Sequence, residues 1–320
     1  MEVQVVPPAE LLTIGELAAR AGVSVKTVRF WSDRGLLPEA DRSSGGHRRY
    51  GPEAVERLQL IRSLRGLGVP LPDVSRVLDR DEAGDAADGP VDDSALADVV
   101  ERQLDELGGQ LTALRWREAG LRLLHESAPE QRAERLRLVG GLASPPDTDG
   151  VVRYWRRLLP YPLAARLVAS ITDMAVPQLP EAPTPAQVLA FARLHALTGS
   201  ASDACLAAHR PVVPRADVLY DGLFEAYLLA LDPLLAQRAP HSGAALDCFV
   251  DAHARAQDAR DTPAFRRTLG RALAAGAEPV MDRYWQLADE LSTAPTLGAA
   301  YAWLQSALDA ELADADAYAS

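Results

Sequence analysis

Residues 13–35 constrain this chain more than any other stretch, because they lay out two short capped helices around a three-residue turn. Thr13 stands three residues before Glu16, the pattern in which a helix's first side chain and a later carboxylate cap each other. Leu17 and Ala18 give this helix its apolar side. Ala21-Gly22-Val23 then predicts a tight turn. Ser24 caps a second helix that carries Val25, Val28 and either Phe30 or Trp31 at helical spacing, and Gly35 ends it. Two short helices joined by a glycine-containing turn predict a helix-turn-helix. Lys26, Thr27, Arg29 and Arg34 lie on the second helix, and these residue types reach bases and phosphates. The plain alternative is a helical hairpin that packs and does nothing else.

The next segment favours the first reading. Residues 40–50 are short, turn-rich and basic, and Gly45-Gly46 suits a hairpin turn. His47, Arg48 and Arg49 would project from the returning arm, with Tyr50 as its anchor, which makes the segment a wing beside the reading helix. A third helix is expected near 52–66, burying Val55, Leu58, Leu60 or Ile61, and Leu64. A fourth, near 71–80, would bury Val74, Val77 and Leu78.

The net charge of −12 argues against a generic nucleic-acid coat. Its distribution changes that reading. Residues 1–80 carry +2, residues 81–150 carry −9 and residues 151–320 carry −5. Residues 20–50 hold seven basic and three acidic side chains, so a small basic face sits on an acidic protein. Lys26 is the only lysine, which leaves arginine to supply nearly all cationic contacts.

The strings TIGELAARAGVSVKTVRFWSDRGLLP (13–38), GGHRRY (45–50) and EAVERLQLIRSLRGLGVPLPDVSRVL (53–78) resemble the N-terminal domain of the MerR family of transcription regulators. The resemblance covers residues 11–78 with spacing preserved. It implies a homodimer on double-stranded promoter DNA. It also implies a mechanism in which bent and untwisted DNA realigns promoter elements, so that RNA polymerase is engaged through DNA geometry. The family's reading-helix arginine falls on Arg29, its wing arginine on Arg48, and its aromatic pair on Phe30 and Trp31. Members often have tyrosine where this chain has Phe30, so one hydroxyl contact to a phosphate is missing here. The candidate DNA-contacting set is Ser24, Lys26, Thr27, Arg29, Phe30, Trp31, Arg34, His47, Arg48, Arg49 and Tyr50.

After a linker at 81–90, a helix near 92–126 carries Val100, Leu104, Leu107, Leu111, Leu114 and Leu121 in the alternating four-and-three spacing of a coiled coil. Gly108-Gly109 weakens its middle and Glu118 interrupts the seam. The resemblance implies an antiparallel pairing of two such helices, over residues 91–127. A helix folded back on its own C-terminal region is the alternative. Metal-sensing and redox members of the family place cysteines around the end of this helix. This chain has none before Cys205, so neither a metal nor another cofactor is expected. His209 stands one helical turn from Cys205, but two ligands are too few for a metal site.

A Gly-, Pro- and Asp-rich break at 140–150 precedes a region read as wholly helical, with expected helices at 151–172, 185–198, 216–231, 244–258, 263–291 and 295–312. The expected fold class is therefore mainly α: a winged helix-turn-helix at 11–80, a long dimerisation helix and an all-helical C-terminal domain at 150–320. Tyr154, Trp155, Tyr220, Phe224, Tyr227, Tyr284, Trp285, Tyr301 and Trp303 are candidate pocket residues for a small organic ligand, although core is the simpler role for any one of them. Arg-Tyr-Trp occurs at both 153–155 and 283–285. No catalytic or nucleotide-binding motif occurs, so an enzyme is not expected. The absence of a long apolar run excludes a membrane helix, and a cytoplasmic location is the default. The resulting expectation is a DNA-distorting regulator that responds to an antibiotic-like or other small organic ligand. The alternatives are a repressor whose C-terminal half serves assembly or a protein partner, and a helical enzyme fused to a DNA reader.

Overall fold

The computed structural model describes residues 11–78, 91–200, 214–276 and 279–319. The expected linker at 81–90, Cys205 and His209 lie outside the described residues. The chain divides into two compact units between Gly109 and Gln110.

The first unit runs β1 (Leu12–Thr13), α1 (Ile14–Ala21), α2 (Val25–Asp33), β2 (Asp41–Arg42), β3 (Arg48–Tyr50), α3 (Glu53–Gly66) and α4 (Leu71–Leu78). Thr13 caps α1 as its sequence demands: the Glu16 backbone N–H donates to Thr13 Oγ1 at 3.2 Å, and Thr13 N–H donates to Glu16 Oε2 at 2.7 Å. The Thr13 backbone N–H and, after it, the Thr13 hydroxyl donate to the Glu16 carboxylate and hold it below its ordinary range. Gly22 closes α1 in the left-handed conformation, φ 65°, which a residue without Cβ adopts freely. The wing is an antiparallel pair, with Asp41 opposite Arg49 and Arg42 opposite Arg48. Gly46 turns it at φ 76°. β3 also pairs with β1, Leu12 opposite Tyr50, a third strand that the sequence did not announce.

One core joins these elements. Leu17, Val28, Leu58, Ile61 and Val74 are fully buried in it, and α5 (Asp93–Glu126) adds Val99. Of the paired alternatives, Trp31 and Ile61 point inward, while Phe30 is exposed. Arg57 fastens α3 by donating to the carbonyls of Leu36 (2.7 Å) and Leu78 (2.8 Å).

Helices are the regular elements of the second unit among its described residues. The remainder of α5 is followed by α6 (Pro129–Gly140), α7 (Asp149–Leu158), α8 (Ala165–Ala175), α9 (Pro185–Ser200), α10 (Ala216–Leu235), α11 (Ala244–Ala256), α12 (Pro263–Ala275), α13 (Pro279–Leu291) and α14 (Leu297–Ala319). Two expected helices are each broken in two. The span 151–172 stops at Leu158 because Pro160 and Pro162 cannot supply helical N–H groups. The span 263–291 is interrupted after Ala275, at Gly276. α6 had no counterpart in the sequence reading.

Trp116, Ala119 and Leu123 of α5 pack with Val151, Phe191, Leu194 and Leu287 in the larger core of this unit. A second core gathers Leu246, Phe249, Leu304 and Leu308. Helices approach closely where glycine allows it. A Cβ on Gly222 would lie 2.6 Å from the Ala252 side chain, so α10 and α11 depend on its absence.

Candidate functional site

The outward face of α2 is the first candidate surface. Ser24 starts the helix: the Thr27 N–H donates to Ser24 Oγ at 3.1 Å, and the two hydroxyls lie 2.7 Å apart. With Val28 and Trp31 turned into the core, Lys26, Arg29 and Phe30 are left facing solvent. Among the described residues, no carboxylate lies within ion-pair distance of Lys26 or Arg29. The Arg34 guanidinium sits 4.3 Å from the centre of the Phe30 ring, a cation–π contact that covers the exposed ring.

The wing lies beside the end of this helix. Arg48 Nη1 donates to Asp33 Oδ1 at 2.5 Å and to Ser32 Oγ at 3.2 Å, and its Nε is 3.4 Å from Glu39 Oε2. The Asp33 hydrogen bond stabilises the guanidinium charge and raises its already high pKa further. Tyr50 is fully buried, and its hydroxyl donates to Ser32 Oγ at 3.0 Å. Arg49 and exposed His47 complete the basic arm, and Arg49 has no carboxylate within ion-pair distance among the described residues.

The second surface is the seam of α5. Val100, Leu104, Leu107, Leu111, Leu114 and Leu121 are all between 41% and 64% exposed. The apolar side chains that this helix buries, Val99, Trp116, Ala119 and Leu123, are different ones. Glu118, which interrupts the seam, pairs with Arg122 at 2.7 Å.

The third feature is a cavity of about 380 Å³ in the second unit. Trp155, Tyr220, Phe224, Tyr227, Trp285 and Tyr301 line it with aromatic rings, and Ile171, Leu219 and Leu273 are among its aliphatic walls. Its polar lining includes His253, Asp282 and Gln305. Burial pushes the His253 imidazole down to about 4 and the Tyr220 phenol up to about 12. Burial raises Tyr227 and Tyr301 as well. His253 Nε2 is buried with no hydrogen-bond partner among the described residues. Trp285 owes its place to Gly298, where a Cβ would come within 2.2 Å of the indole.

Residues 12–81 match the family described as MerR HTH family regulatory protein. A mercuric resistance operon regulatory protein from Serratia marcescens is 38% identical over 97 residues, which is 30% of this chain and 67% of that one. The chain belongs to the MerR family. It is a DNA-binding transcriptional regulator of that family. The HTH-type transcriptional activator TipA of Streptomyces coelicolor is 45% identical over 73 residues, 23% of this chain and 28% of that one. Among solved structures, a MerR family regulator lacking the sensor domain, bound to promoter DNA, covers 31% of this chain and 76% of its own at 26% identity. Its TM-score is 0.23, too low to carry any inference to this chain. The family match stops at residue 81, so the second unit has to be read from its own side chains.

Within this MerR-family chain, the candidate DNA set divides. Lys26, Arg29, Phe30, Arg34 and His47 are exposed, and Arg49 is half-buried. Trp31 and Tyr50 are corrected to core positions, because Trp31 supplies the buried side of α2 and Tyr50 anchors β3. Ser24 and Thr27 are joined by the cap, and Arg48 is held by two carboxylates.

The candidate pocket set divides as well. Six of the nine line the cavity. Tyr154, Tyr284 and Trp303 are buried outside it, their polar tips satisfied by Met281, by the Ala175 carbonyl and by the Arg238 carbonyl respectively. The two Arg-Tyr-Trp strings meet: Tyr154 stacks on Tyr284 at 5.9 Å, and Trp155 Nε1 donates to Tyr284 Oη at 2.7 Å. His253 and Asp282 are not among the pocket candidates that the sequence offers. A lone histidine or aspartate on a helix carries no periodic signal, and only the fold brings them to the rings. Among the described residues, no cluster of three His, Cys, Asp or Glu is placed to hold a metal ion, and no helix is long and apolar enough to cross a membrane.

Proposed function

We propose that this protein acts as a homodimer joined through the α5 seam, reads a dyad-symmetric promoter with two helix-turn-helix units, and distorts it under control of a small organic molecule held in the aromatic cavity. The observation that carries the reading is the division of labour on α5. Its buried residues serve the chain's own cores, and a separate heptad-spaced row of six apolar residues is left to solvent. That spacing fits a second copy of the same helix, and 34 residues give a seam of about 50 Å. Two reading helices fixed to one stiff rod would impose their spacing on the duplex, and phosphate contacts on both sides of the dyad would offset the cost of deforming it.

The cavity supports the effector role. It has the size and apolar lining of a small-molecule site and includes a buried imidazole nitrogen without a partner among the described residues. The test is a thermal-shift screen of full-length protein against a broad library of aromatic natural products, antibiotics and amines. A hit is then checked for its effect on DNA affinity or promoter output. At least one ligand should raise the melting temperature and change the DNA response, and Phe224→Trp, which narrows the cavity, should weaken both effects. No shift across the library would contradict the effector role.

A further inference from the structure

The cavity in the helical unit has a preferred ligand charge. Among its described lining residues, Asp282 is the one formally charged side chain; no lysine or arginine is present. His253 adds no positive charge near neutral pH, because burial holds it in the neutral form. Six aromatic rings make up much of the remaining wall, and the face of an aromatic ring is electronegative. An anion entering here would lose its hydration, find no cation among the described lining residues and meet both ring faces and a carboxylate. A cation would meet favourable partners in both.

The placement of the acid strengthens this preference. Asp282 is exposed, so it stands at the rim, and it precedes Trp285 by three residues on the same helix, α13. Residues at that spacing share a helix face. The Tyr301 phenol feels the same carboxylate from α14.

We propose that this cavity selects partly apolar organic cations, an aromatic or branched body carrying one quaternary or protonated amine, over neutral and anionic molecules of the same shape. This rests on the reading of the cavity as the effector site and adds the ligand's charge to it. The ammonium is held between the ring faces and Asp282, and the apolar body fills the space bounded by Leu219, Leu273 and Ile171.

Three naphthalene probes of matched shape make the test: (2-naphthylmethyl)trimethylammonium, its uncharged carbon isostere 2-neopentylnaphthalene, and 2-naphthylmethanesulfonate. Each is measured by equilibrium dialysis against the full-length protein without DNA. The cation is expected to bind about tenfold more tightly than the neutral isostere, and the sulfonate most weakly. Asp282→Asn should weaken the cation about threefold and leave the neutral probe unchanged. Asp282 is exposed and outside any ion pair among the described residues, so an unchanged melting temperature serves as the folding control. Phe224→Leu, which removes a ring, should reduce the cation's advantage over its isostere.

If the neutral probe binds as tightly as the cation, or the sulfonate binds best, the charge preference is overturned while the effector reading stands. If none of the three binds, the proposal is overturned. If the library screen is also silent, the effector reading falls with it.

Discussion

Lys26 and Arg29 project from α2 with no carboxylate in reach among the described residues, whereas Arg48 is held by Asp33 and Glu39. A side chain free to reach a base and one already bracing the wing should fail differently when removed. Lys26→Ala is expected to cost about 1–3 kcal/mol per half-site on the cognate duplex and little on random DNA. Arg49→Ala should weaken both duplexes alike and lower the salt slope by roughly one for each phosphate that the arginine neutralises. Arg48→Ala should lower the melting temperature of the free protein, which neither of the others does. Affinities on both duplexes at several salt concentrations, with a melting curve for each variant, separate the three. A second residue-scale expectation concerns His253. In the unfolded chain it takes a proton below about pH 6.5, and in the native state only below about 4, so stability is lost as pH falls through that window. About 2 kcal/mol should disappear between pH 7 and pH 5, and His253→Gln should remove that part of the dependence. Urea midpoints at the two pH values check it, and equal losses in both proteins would acquit the histidine. The caps at Thr13 and Ser24 were legible in sequence because capping is local chemistry. The inward turn of Trp31 and Tyr50 was not, because an aromatic beside basic residues reads equally as ligand contact or as core.

At the scale of elements, α5 does most to connect sequence with function. Its heptad was visible because it repeats, and the structure leaves every seam residue exposed. Replacing Leu107 and Leu111 together with Asp should leave the helical content intact and convert a dimer to a monomer in sedimentation, since neither residue belongs to a buried core. An unchanged dimer mass would place the partner surface elsewhere. α6 is hard to read from sequence because it has no buried residue and no strong apolar stripe, although Pro129 at its first position and Gly140-Gly141 at its end mark its limits. The breaks at Pro160 and Gly276 show the opposite failure. Apolar periodicity carried a helix across residues whose backbone chemistry stops it. The aromatic pairs were recognised as a group, yet only packing decides that Tyr154 stacks on Tyr284 in the core while Trp285 faces the cavity.

At the scale of the whole molecule, the family match ends at residue 81, and the second unit carries an aromatic cavity that lies outside that match. The proposed dimer sets one demand: two copies of a small basic reading face would engage DNA with two-fold symmetry. The −12 net charge sharpens that demand, since unselective attraction to DNA is weak and specific contacts have to supply the affinity. Selection of bound duplexes from a random library by full-length protein, followed by sequencing, tests this most directly. A single dyad-symmetric site should be enriched, with both half-sites needed for tight binding and enrichment abolished in the Leu107→Asp/Leu111→Asp variant. Enrichment of an isolated, asymmetric half-site that the variant binds as well, or no enrichment at all, would contradict a dimeric, two-fold reader.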